Sequence, residues 1–279
     1  MNFISTISFY FILLFSFCSI NAIGQKFNAI PTQHLELYQL LGHEDNYRID
    51  TVEAFEISNF ITYKEYKNYL NSIKSDESDS SKQYYQSQLP DTNITIEKDV
   101  YQEYITSNAY NKYPVLGISW EDAMNYCAWK TLQDNKKGKI EFVYRLPKES
   151  EWLAALYYFK LKNIKHDFDQ KYTDWLLNTF DESYFDFAHD LNPSYFYDAK
   201  DEDPLIFNRK KIIGDSYLYS LFSINYHYIS SVNYHLSYKN DYYLSKIYGY
   251  SYIGYQHIAF RIVKTKVDET ILEYWGIDK

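Results

Sequence analysis

The chain has 279 residues, with 28 Lys and Arg against 37 Asp and Glu, for a formal net charge of −9. At 46% hydrophobic and 23% charged residues it matches the globular average, which excludes wholesale disorder; the acidic balance excludes a general nucleic-acid binder, because no cation excess is left for phosphates. Length allows two domains or one large one, and the compositional extremes are 33 Tyr and only two cysteines, Cys18 and Cys127.

Phe3 to Phe17 are apolar or hydroxylated, and no charged side chain precedes Lys26. With the small-x-small pattern Ala22-Ile23-Gly24, residues 1–24 read as a secretory signal cleaved to leave Gln25 first. A lipoprotein signal acylated at Cys18 and a retained membrane anchor are the alternatives; the bulky Phe17 disfavours the former, and the run is near the lower limit for spanning. The expected location is outside the cytoplasm, in the periplasm or outer envelope, with membrane contact only through this segment if it is retained. An exported chain left with Cys127 alone has no internal disulfide.

Alternation from Val52 to Ile57 predicts a half-buried strand. Thr62 and Glu65 form a capping-box pattern that opens a helix to about Ile73, with Tyr66, Tyr69 and Leu70 on one face. Ser75 to Ser81 reads as a polar loop. Tyr113 to Ser119 is an extended lead-in fixed by Pro114, followed by a helix with Ser119 as N-cap and Asp122 closing the box; its periodicity turns Cys127 inward. A third helix starts after Pro147, which presets the backbone dihedral for the first turn, and carries an apolar stripe of Trp152, Ala155, Leu156 and Phe159. Beyond about Lys165 helical periodicity fades into short alternating segments, including Tyr248, Tyr250 and Tyr252, and Ile258 to Val263 reads as one closing strand.

Three blocks carry a resemblance. Phe60 to Tyr66 resembles "F-x-V-T-N-x-x-Y"; Tyr113 to Ala123 with Tyr126-Cys127-Ala128-Trp129 resembles "Y-P-V-x-x-V-S-W-x-D-A-x-x-Y-C-x-W"; Tyr144 to Trp152 resembles "R-L-P-T-E-A-E-W", with Lys148 in place of Thr. In this order they are similar to the formylglycine-generating-enzyme (sulfatase-modifying factor) domain, and Ala259-Phe260-Arg261 looks like its closing "G-F-R". The resemblance implies one irregular, loop-rich α+β domain over residues 25–279, related to the C-type lectin fold. It also implies a structural motif of Tyr113, Pro114, Trp120, Asp122, Cys127, Trp129, Arg145, Glu149, Glu151, Trp152, Phe260 and Arg261, in which Arg145, Glu149 and Glu151 tie loops together.

Enzymes of this family oxidise a substrate cysteine with oxygen and a copper ion held by two thiolates near the C-terminus. Soft thiolates suit Cu(I), and no cysteine follows Cys127 here, so copper is not expected. A second branch holds iron with three histidines; of the seven histidines, His227, His235 and His257 are the candidates, and none forms an i, i+4 pair. Asp198, Asp201, Glu202 and Asp203 could bind calcium or be solvated loop charge. The family's "R-G-G-S-W" is reduced to Ile213-Gly214-Asp215-Ser216-Tyr217. The tyrosines from Tyr217 to Tyr255 could stack on sugars or reflect a composition bias. The expectation is therefore an exported, non-catalytic binding or structural component of a bacterial envelope, of the gliding-motility and type IX secretion kind, with an envelope protein or glycan as partner. The alternatives are a non-haem iron oxidoreductase and a lectin-like glycan-binding module.

Overall fold

The computed structural model describes residues 25–38, 47–74, 79–91, 103–104, 106–135, 139–167, 172–179, 196, 203–204, 208–213, 248–250 and 258–277. Residues 1–24, expected to direct export, lie outside them. Strands β1 (Phe27–Ile30), β4 (Phe55–Ser58), β10 (Val263–Lys266) and β5 (Phe142–Arg145) form an antiparallel sheet in the order β1-β4-β10-β5. Val263 sits between Ile57 and Arg145, so the chain's end closes the middle of this sheet. Strands β2 (Gln33–Tyr38) and β3 (Tyr47–Val52) make a separate antiparallel hairpin. A third sheet runs β8-β7-β6-β9, from β8 (Tyr248–Tyr250), β7 (Arg209–Ile213), β6 (Thr173–Thr179) and β9 (Ile258–Ala259), antiparallel except for the β6–β9 pair.

The helices follow their local signals. In α1 (Tyr63–Ile73) the Thr62 side chain accepts the Glu65 amide and Glu65 accepts the Thr62 amide, and Tyr66, Tyr69 and Leu70 are buried. Helix α3 (Trp120–Asp134) is capped in the same way, with Ser119 Oγ accepting the Asp122 amide at 3.0 Å. Tyr66, Tyr69 and Tyr126 pack on one another, and Tyr66 and Tyr126 on Phe260, with ring separations of 5.4–6.3 Å. Each such aromatic pair is worth about 0.5–1.5 kcal/mol beyond its area. A second core forms where Trp152, Ala155, Leu156 and Phe159 of α4 (Glu149–Lys162) meet Ile30, Phe55, Ile57 and Val263. Helix α5 (Glu269–Tyr274) follows β10 and buries Ile271 and Leu272.

Four expectations change. The strand expected over Val52 to Ile57 is interrupted at the exposed Glu53-Ala54, where the chain leaves the hairpin for the larger sheet. The polar loop expected to reach Ser81 ends earlier, because α2 (Asp79–Ser87) begins at Asp79; its successor Gln88 accepts the Tyr69 hydroxyl and donates to Asp122. The third helix starts after Pro147 as expected, but with Lys148 as N-cap of α4 Pro147 stands outside its first turn, and its carbonyl accepts the Leu177 amide. The single closing strand is two: β9 belongs to the third sheet and β10 to the first, and the crossing residues Phe260, Arg261 and Ile262 are fully buried. Among the described residues no helix is long and apolar enough to cross a membrane.

Candidate functional site

Strand β6 receives four of the motif residues, Trp120, Glu149, Trp152 and Arg261. All seven of its residues are buried, and three tryptophans use it as partner or origin. Trp120 donates its indole N–H to the Leu176 carbonyl at 2.8 Å, Trp175 donates to the Ile118 carbonyl at 3.0 Å, and Trp152 donates to Asp174 at 2.7 Å. The first two bonds are reciprocal, so β6 and the lead-in to α3 lock each other. Pro114 enters by a bridge to Thr62, and Tyr113, half exposed, accepts the Tyr63 amide on its carbonyl. Trp129 packs at the edge of the tyrosine cluster, against Tyr69 and Tyr126.

Arg261 is fully buried and binds two carboxylates, donating from Nε to Asp174 at 2.9 Å and from Nη1 to Asp167 at 2.8 Å. Asp167 also accepts the Phe60 amide, and the guanidinium lies 4.2 Å from the centre of the Phe60 ring. Phe260 beside it joins the tyrosine core. Burial pushes the Asp174 carboxyl up to about 6, against the opposing pull of Arg261 and the Trp152 N–H. Burial also disfavours the charged guanidinium of Arg261, but Asp174 and Asp167 outweigh it and hold its pKa above the ordinary value.

A second charged centre joins β5 to α4. Arg145 makes two parallel bonds to Glu151, both 2.7 Å, and donates to the Leu146 carbonyl; Glu151 also accepts the Lys148 amide at 2.8 Å. Burial opposes ionisation of Glu151, yet Arg145 overrides it and holds the carboxyl below its usual range. Glu149 pairs with Lys211, and its amide donates to Asn178 at 2.8 Å. Lys210, 2% exposed, sets its ammonium 4.2 Å over the Trp120 ring. Beside the Arg145–Glu151 pair opens a cleft of about 620 Å³ lined by Glu53, Lys148, Thr265, Lys266 and Asp268.

Among the described residues no group of three His, Cys, Asp or Glu converges to hold a metal. His227, His235 and His257 lie outside the described residues, as do Asp198, Asp201 and Glu202 of the acidic cluster and most of the tyrosine segment. Copper held by two thiolates does not fit this chain's donor set. Its cysteines are Cys18 and Cys127, and Cys127 is wholly buried in α3, where burial pushes its thiol well above the ordinary range. Asp122 is likewise pushed up to about 6, first by burial and against its bonds from Ser119 and Gln88. Sequence reasoning missed Asp167, Asp174, Trp175, Lys210 and Lys211. The one available signal was the short apolar run Trp175-Leu176-Leu177 between polar neighbours, which suits a fully buried strand.

Comparison with known proteins places this geometry. The family model of the sulfatase-modifying factor enzyme 1-like domain matches residues 39–196, more than half of the chain. No curated protein matches. Among solved structures, CarF is similar at 14% identity and a TM-score of 0.48, covering 88% of this chain and 99% of CarF. PvdO from Pseudomonas aeruginosa is 14% identical with a TM-score of 0.44, covering 86% of this chain and 94% of PvdO. Variable protein 1 of Treponema denticola is 13% identical with a TM-score of 0.42, covering 85% of this chain and 94% of its own. These distant likenesses carry nothing about activity; the assignment rests on the family match. The chain belongs to the sulfatase-modifying factor enzyme 1-like domain family.

Proposed function

We propose that this chain is a non-catalytic, exported member of the family that acts as a binding or structural component of a bacterial cell envelope, of the kind used in gliding motility and type IX secretion. In this reading residues 1–24 direct export and residues 25–279 form one domain. The observation that carries it is the state of the family's thiol chemistry. Outside the export segment one cysteine remains, and it is enclosed in α3 with its thiol held protonated by burial. A protonated, enclosed thiol neither ligates Cu(I) nor meets a substrate. The charged residues of the motif are meanwhile consumed in scaffold contacts, Arg261 by Asp174 and Asp167 and Arg145 by Glu151. What the family frame keeps is its architecture.

The test is recovery of a tagged copy from fractionated cells after cross-linking. The reading expects the protein in periplasmic or outer-envelope fractions, joined to a defined protein or glycan. Recovery from the cytoplasm, or as a free monomer with nothing attached, overturns it.

A further inference from the structure

Helix α4 is apolar on two sides. Its inner face, Trp152, Ala155, Leu156 and Phe159, is buried in the second core. On its outer side Tyr157, Leu161 and Ile164 are 44%, 64% and 39% exposed, while Leu153 at the start of this row is packed against the second core. The spacing of four, four and three residues sets these side chains in one ridge along the helix. The ridge continues past the helix end because Asn163 takes a left-handed conformation (φ 52°), with its amide bonded to the Lys160 carbonyl and the Ile164 amide to Phe159. That closure holds Ile164 beside the last turn. Exposed apolar side chains set in one row on a helix, rather than scattered singly, point to a surface that covers them.

Charge says which surface. From Trp152 to His166 there is no carboxylate, while Lys160, Lys162 and Lys165 all fall here and are exposed. The chain as a whole carries −9, so this is a local reversal of sign. A ridge one residue wide is too narrow for the roughly 800 Å² per side of a stable protein interface. It suits the boundary of a bilayer, where apolar side chains dip below the headgroups, tyrosine sits at their level and lysines extend to phosphates.

We propose that the outer ridge of α4, Tyr157, Leu161 and Ile164 with Lys160, Lys162 and Lys165, docks on an anionic lipid surface. This surface goes beyond the envelope reading and does not depend on it, because it is a property of the purified chain.

The test uses the chain from Gln25 onward, free of the apolar segment that would itself enter vesicles, carrying Leu161→Cys with a nitroxide on the new thiol; Cys127 is enclosed and does not compete for the label. Vesicles are phosphatidylcholine alone or with about a third phosphatidylglycerol. With anionic vesicles the label is expected to gain contact with dissolved oxygen and lose contact with a water-soluble paramagnetic complex, and with neutral vesicles to stay aqueous. A label at exposed Glu121→Cys stays aqueous in both. Replacing the three lysines by glutamine weakens binding about fivefold per lysine. An aqueous label at position 161 on anionic vesicles overturns the proposal, and so does equal insertion into neutral ones. Immobilisation of the label by lipid-free envelope protein, without insertion into vesicles, overturns it in favour of a protein partner.

Discussion

Replacing Arg261 by leucine removes both ion pairs that join the chain's end to Asp174 and Asp167, and leaves two carboxylates facing an apolar side chain. Breaking a buried pair by deleting one partner costs about 3–5 kcal/mol, chiefly through the charge left behind. Asp174 has a route of escape, since burial already pushes its carboxyl up to about 6 and loss of Arg261 moves it higher. A carboxyl whose folded pKa lies above its unfolded value contributes stability at low pH and loses it as pH rises through the folded value. Each unit by which the variant's Asp174 moves beyond about 6 therefore adds about 1.4 kcal/mol to the gap between pH 5 and pH 8. Urea unfolding of wild type and Arg261→Leu at both pH values measures this. The expected loss is about 4 kcal/mol at pH 8 and clearly less at pH 5. A loss below about 1 kcal/mol at pH 8, or the same loss at both, refutes the keystone role.

Wild-type stability should rise as pH falls from 7 towards 5, because Asp122 and Asp174 both sit near 6 when folded; Asp122→Asn should flatten the thermal-melting profile in that window. At more acid pH the trend reverses as Glu151, held low by Arg145, takes up its proton, a turn that Glu151→Gln should abolish. Trp120→Phe leaves the Leu176 carbonyl unpaired and should cost about 1–3 kcal/mol in chemical denaturation, with less loss for the half-exposed Tyr113→Phe. The Cys127 thiol should resist iodoacetamide in the native protein and react at the rate of unfolding; rapid native labelling of Cys127 would place it outside the core.

Where the fold was legible, the signals were short-range. The boxes Thr62–Glu65 and Ser119–Asp122 are three residues apart, and the stripe of α4 repeats within two turns, so sequence reveals them without knowledge of the fold. The site's frame is made of long-range pairings that leave no such trace. Arg261 meets Asp174 and Asp167 across 87 and 94 residues, and Lys211 meets Glu149 across 62. Strand β6 is buried on both faces and therefore lacks the alternation that marks a half-buried strand. Lys210 and Lys211 read as surface charge by type, and partners distant in sequence, the Trp120 ring and Glu149 among them, make their burial tolerable. The run from Ile258 to Val263 looks like one strand because both sheets it serves demand apolar residues; the change of sheet at Phe260 to Ile262 is a tertiary fact. The family α+β frame was readable because its motif blocks are themselves local.

The proposed function requires that this frame has kept its architecture and lost the family's copper chemistry. An anaerobic Cu(I) titration of the purified full chain against a chromophoric chelator tests it directly. The account predicts that the chelator keeps the metal and that a cysteine-containing peptide given oxygen yields no aldehyde. Withdrawal of one copper per chain from the chelator, with aldehyde formation on the peptide, would contradict it.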